Sequence, residues 1–170
     1  MSKGLQYLML RILFFSIPLV LLCIMLELKL RAIPNVYAYK ANYVKEHGAA
    51  IKTLVFGSSH AYFGIDPYYL QLNSFSLANT SQTLDYDNLL FEKYHNSMTG
   101  LNNIIIAVSY FSLYSDLESG VEFWRSKYYK IYFKIYKIIS YADNFEIEGN
   151  LKTVTDRLYK YYILHKFDKN

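Results

Sequence analysis

The sequence predicts an α/β fold, a three-layer parallel sheet behind one membrane-spanning helix. Three observations predict it. A long uncharged apolar run opens the chain, three short β-prone runs follow it, and helical periodicity fills the gaps between those runs. The 170 residues have room for one domain and an anchor. A content of 53% hydrophobic and 18% aromatic residues excludes a disordered chain. The net charge of +4 suits an anionic lipid surface and does not call for nucleic acid. Cys23 is the only cysteine, so no disulfide or cysteine metal site can form within one chain. His47, His60, His95 and His165 lack metal-ligand spacing, and no cofactor is expected.

The first element is the anchor. Ile12 to Leu26 carries no charge, and extension to Leu5 and Leu28 reaches the roughly 20 residues that span a bilayer core. Arg11 can snorkel to the interface, and Pro18 is tolerated better in lipid than in water. A cleaved signal peptide fits less well, because no small-x-small site follows. A buried soluble helix is the third reading. Lys3 and Arg11 favour a cytoplasmic amino terminus, opposed by Lys29 and Arg31. The expected organisation is an anchor over 1–30, a connector over 31–50 and an α/β domain over 51–170, held at an inner or cytoplasmic membrane.

Within the connector, Pro34 and Asn35 break periodicity, and Tyr37 to His47 can form a short helix. Ile51 to Phe56 is short, apolar and β-prone, as a buried parallel strand is, and it ends at Gly57. Asp66-Pro67 reads as a helix cap with proline at the first helical position, followed by a short helix over Tyr68 to Leu72. Ser74 to Ala78 is a second strand. Thr80 or Ser81 is expected to cap a helix through Tyr86, Leu89, Leu90, Tyr94 and Met98, ended by Gly100. Asn103 to Val108 is the third strand and reads as buried. Over Val121 to Ser140, Trp124, Tyr128, Ile131, Ile135 and Ile138 share a helical face beside a stripe of Lys127, Lys130, Lys134 and Lys137. That pattern predicts an amphipathic helix with a solvated lysine face, or one resting on lipid headgroups. The tail from Leu151 is weakly helical.

Parallel sheets of this kind gather their sites at the carboxyl ends of the strands. Those ends are Gly57-Ser58-Ser59-His60, Asn79-Thr80-Ser81 and Ser109-Tyr110-Phe111-Ser112. The first carries the chemistry. A serine on a strand-to-helix turn can expose its hydroxyl to a carbonyl while its own N–H faces the resulting oxyanion. The same residues also suit a turn whose serines merely cap the next helix.

VFGSSHAYFGIDP, NSFSLANTSQTLDYD and NIIIAVSYFSL occur in order, and they resemble the first three blocks of SGNH-hydrolase-like proteins. The likeness covers about Lys52 to Ser112. It is nearest to the membrane-anchored group of bacterial surface-polysaccharide gene clusters, related to alginate-acetylation and D-alanine-transfer proteins. The resemblance implies a flavodoxin-like sheet and an acyl esterase or O-acyltransferase acting on a cell-envelope polysaccharide. It implies Ser59 as nucleophile, with Ser58 in place of the usual aspartate. It implies oxyanion or binding roles for Ser81, Asn79, Ser109 and His60. Implied partners are membrane lipid, a cell-surface glycan or acyl donor, and membrane proteins of polysaccharide assembly.

The family closes with Asp-x-x-His, which supplies the base and its orienting carboxylate. No Asp-x-x-His occurs in this sequence, and Asp156 and His165 are nine apart. The chain is therefore expected to stop before the domain is complete and to be inactive as it stands. The competing expectation is a non-catalytic membrane-tethered scaffold that binds a glycan or a partner.

Overall fold

The computed structural model describes residues 3–70, 73–137, 144–147 and 151–166. The chain forms two compact units, 1–34 with 145–170, and 35–144.

In the first unit, α1 (Lys3–Arg31) is a 29-residue helix, ~43 Å at 1.5 Å per residue. The hydrocarbon core of a bilayer is about 30 Å thick, so the helix is long and apolar enough to cross it. Its apolar side chains are exposed from Leu5 to Met25, Phe14 at 72% and Phe15 at 85%, and Leu30 near its end is buried. A core helix of a soluble domain buries one face, and this one does not. Pro18 lies inside the helix. Near the end of α1, Glu27 pairs with Arg31 at 2.5 Å and accepts the N–H groups of Glu146 and Ile147 at 3.0 and 3.1 Å. α6 (Leu151–Tyr162) buries Val154, and its Tyr162 hydroxyl donates to the Lys29 carbonyl at 3.1 Å. The weakly helical tail is thus three turns of helix that meet α1.

The second unit is built on a three-stranded parallel sheet, order β2-β1-β3. β1 (Thr53–Gly57) is central and buried throughout. β2 (Ser74–Ser76) and β3 (Asn103–Ala107) flank it, with Leu54 opposite both Phe75 and Ile104. Side chains alternate across a strand. Leu54 and Phe56 therefore enter a large core with Tyr37, Val44, Leu90 and Phe133, while Val55 meets Ala61 and Ala78 on the other face. Three helices supply the first face: α2 (Val36–His47), α4 (Leu84–Tyr94) and α5 (Ser126–Phe133). α3 (Ser59–Gly64) covers the second.

The short helix expected over Tyr37 to His47 is present as α2, and its Tyr37, Ala41 and Val44 belong to the core. Asn35 caps that helix, accepting from the Ala38 N–H at 2.8 Å. Several other expectations need correction. Asp66 does accept from the Tyr68 N–H, but only a 3-10 turn follows, Pro67–Tyr69. Residues 71 and 72 of the predicted helix lie outside the described residues. The N-cap of α4 is Thr83, not Thr80 or Ser81, and its side chain makes no capping bond. A turn closed by the Gln82 N–H on the Asn79 carbonyl uses up those residues first. Gly100 stands beyond the end of α4, where a Cβ would come within 2.6 Å of the Ala49 carbonyl. β3 is not a buried strand. It is an edge of the sheet, and Ile104 and Ile106 remain 42% and 50% exposed.

The helix expected over Val121 to Ser140 shortens to a 3-10 turn, Phe123–Arg125, and α5. Lys134, left-handed at φ 55°, ends it. Ile138 lies outside the described residues. The lysine stripe is solvated only in its second half, where Lys134 and Lys137 are exposed. Lys127 and Lys130 are buried, on a helix whose Tyr129 and Phe133 enter the core.

Candidate functional site

Ser59 follows from the behaviour of Gly57. At φ 131° Gly57 occupies a conformation that L side chains rarely adopt, and a Cβ there would lie 3.0 Å from both the Ala107 carbonyl and the Ala61 methyl. The chain can therefore turn from the buried strand straight into α3. Ser58 takes the N-cap position and Ser59 the first helical one. Ser59 is half-buried and His60 exposed. Among the described residues no side chain hydrogen-bonds the Ser59 hydroxyl. The Ser58 hydroxyl is buried without a partner and does not cap the helix.

The strand ends meet around this turn. The Asn79 N–H donates to the Gly57 carbonyl at 3.2 Å, extending the β2 side past its last paired residue. Gly57 faces Ala107 on the β3 side. The His60 ring lies 5.6 Å from that of Phe111, in the 3-10 turn after β3. The strand order reverses between β1 and β3, the position where sheets of this class open a crevice.

The other residues marked in the sequence are engaged in different ways. Ser81 is left-handed at φ 57°, and its hydroxyl donates to Glu122 at 2.5 Å. Bonds from Arg125 and Ser81 hold the Glu122 carboxyl below its ordinary range. Ser109 donates its N–H to the Ser112 hydroxyl at 3.0 Å, which stabilises the local turn. Asn79 is 1% exposed, and its amide donates to the Leu77 carbonyl and to Gln82 Oε1. Of the other histidines, His47 stacks on Tyr43 at 4.7 Å, and His95 Nδ1 meets the Glu92 carbonyl at 2.8 Å. No group of three metal-binding side chains occurs among the described residues.

Sequence reasoning missed a buried polar chain beneath the turn. Lys40 Nζ donates to the Ala78 carbonyl and to Asn79 Oδ1. Gln82 receives from Asn79 and from the Tyr129 hydroxyl, and passes a donor to Asp87 Oδ1. The same Asp87 oxygen accepts the Gly57 N–H at 3.2 Å, so a helix α4 carboxylate ties down the turn that carries Ser59. Burial pushes Asp87 up to about 6, against the opposing bonds from Gln82 and Gly57, and its Oδ2 has no partner. Burial pushes Lys40 down to about 7. Asp87 and Gln82 stood in a quoted sequence block without a role of their own. Lys40 stood in a stretch read as a connector. Neither context signals burial.

Comparison with family models, with curated proteins and with solved structures finds no match for this chain.

Proposed function

We propose that the chain acts in a membrane-anchored serine esterase or O-acyltransferase of the SGNH-like type, with a flavodoxin-like sheet, on a cell-envelope polysaccharide. The observation that carries this reading is the position of Ser59, a half-exposed serine at the turn between a buried central parallel strand and its helix. In the proposed reaction Ser59 Oγ attacks an acyl carbonyl, and the N–H groups of Ser59 and Ser81 hold the oxyanion. Collapse expels the first alcohol and leaves an acyl-serine. Water or a sugar hydroxyl then takes the acyl group and regenerates the serine. The α/β unit would work on the non-cytoplasmic side, as Lys3 and Arg11 before the span suggest.

One finding favours a second reading. No histidine or carboxylate among the described residues hydrogen-bonds Ser59, and serine without a base is a weak nucleophile. A membrane-tethered scaffold that binds without reacting would look the same. Turnover of an aryl acetate separates the two, measured with imidazole added as an external base. The catalytic reading expects slow turnover that rises with imidazole and is lost in Ser59→Ala. If Ser59→Ala retains the full rate, Ser59 is a turn residue and the scaffold reading stands.

A further inference from the structure

β2 is an edge strand, and its open side forms the floor of a cleft between α2 and the segment after α3. The cleft has a volume of about 610 Å³, within the range of small-molecule sites. A second hollow of about 380 Å³ adjoins it, and the two share Tyr43, Pro67 and Ser74. Together they form an elongated trough and not a single round pocket.

Its walls are rings. Phe75 and Tyr43 stack at 4.1 Å and 9°, and His47 continues the stack on the other face of Tyr43. Tyr62 and Phe63 form an edge-to-face pair on the opposite wall. Tyr39 and Phe63 are 59% and 75% exposed, although both line the cleft. Between the rings lie Ser74, Ser76 and Asp66. Aromatic faces with hydroxyl and carboxylate groups between them suit a ligand with C–H faces and hydroxyl edges.

Charge narrows the class. The charged residues lining the cleft are Lys40 and Asp66. Lys40 is 5% exposed and already committed to the Ala78 carbonyl, to Asn79 and to the ring of Tyr62, 4.6 Å away. No lysine of the lining is therefore left for a phosphate or carboxylate, which argues against an anionic ligand. An added peptide strand suits the cleft less well, because β2 offers only the three residues Ser74–Ser76 as an edge.

We infer that the trough along the free edge of β2 binds neutral pyranose rings of a linear glycan, with Tyr39 and Phe63 as its stacking platforms. The choice of a glycan over another polyhydroxylated ligand rests on the polysaccharide-directed function proposed above. The trough and the Ser59 turn share one hydrogen-bonded frame. The Tyr62 N–H donates to the Ser58 carbonyl at 3.0 Å, and Lys40 holds Asn79, which itself bonds Gly57.

The test is calorimetric titration of the full chain in detergent with cellohexaose, maltohexaose and chitohexaose, and with an extended peptide of alternating valine and threonine. At least one hexasaccharide should bind. The Tyr39→Leu/Phe63→Leu pair, which keeps apolar bulk and removes the ring faces, should weaken that binding tenfold or more. Binding by none of the three sugars, or equal binding by the leucine pair, overturns the inference. Binding of the peptide alone assigns the edge to strand addition and also overturns it. Sugar binding without Ser59-dependent turnover supports the trough and defeats the catalytic reading. Turnover without sugar binding defeats the trough alone.

Discussion

Lys40 and Asp87 carry opposite pH signatures. Folding pushes Lys40 from 10.5 to about 7, because burial removes water from its ammonium. Above pH 10.5 the amine is neutral in both folded and unfolded chains and costs nothing. As pH falls towards 7 the unfolded chain gains a proton that the folded one refuses, so stability drops, and the loss is complete below about 7. Asp87 is raised from 3.8 to about 6, so its contribution is complete below 3.8 and is lost as pH rises through 6. For these two groups stability is lowest between about 6 and 7. Lys40→Met should therefore flatten the rise in melting temperature between pH 7 and 10. Thermal unfolding of the wild type and the variant across that range checks it, and an unchanged slope would place the titration elsewhere. The slope is the informative quantity, because the variant also leaves the Ala78 carbonyl and Asn79 Oδ1 without their donor.

At the scale of elements, α5 is the clearest case of a pattern overruled by packing. Its sequence offers an aromatic face and a lysine face over twenty residues. The core accepts Tyr129 and Phe133, and with them the helix buries Lys127 and Lys130. The helix then closes at Lys134, in a left-handed conformation that costs a non-glycine residue about 1 kcal/mol or more. Lys134 Nζ recovers part of that cost by donating to the Ile131 carbonyl at 2.7 Å. Lys134→Gly should stabilise the protein by roughly 0.5–1 kcal/mol, read as a higher denaturant midpoint at an unchanged slope. A lower midpoint would mean that the lysine bond outweighs the backbone strain.

At the scale of the whole molecule, two of the open apolar surfaces among the described residues bear on association. One is α1, exposed over most of its length, and the other is β3, an edge strand among the described residues, with Ile104, Ile106 and the following Val108 exposed. An open, apolar strand edge is a template for association. The α1 surface should make the protein resist alkaline carbonate extraction from membranes, and release of the intact chain would contradict a spanning helix. The side is tested with Cys23→Ser carrying a new cysteine at exposed Asn73. An impermeant maleimide should label it in whole cells, after permeabilisation of any outer membrane. Labelling only after lysis would reverse the orientation.

Local chemistry in the sequence determined the elements whose signals are short-ranged. The uncharged run from Ile12 made α1, Asn35 and Asp66 made their caps, and the β-prone runs ending at Gly57 and Ser76 became parallel strands. The turn that carries Ser59 was legible for the same reason, since glycine after a buried strand leaves few conformations. Burial was decided only by the tertiary structure. Whether Ile104 faces a helix or solvent depends on which residues far along the chain cover β3, and its own run of isoleucines cannot say. Lys40, Gln82 and Asp87 look like surface residues until α2 and α4 close over β1. Their polar groups then have to find each other, because a buried donor or acceptor without a partner costs more than the bond is worth.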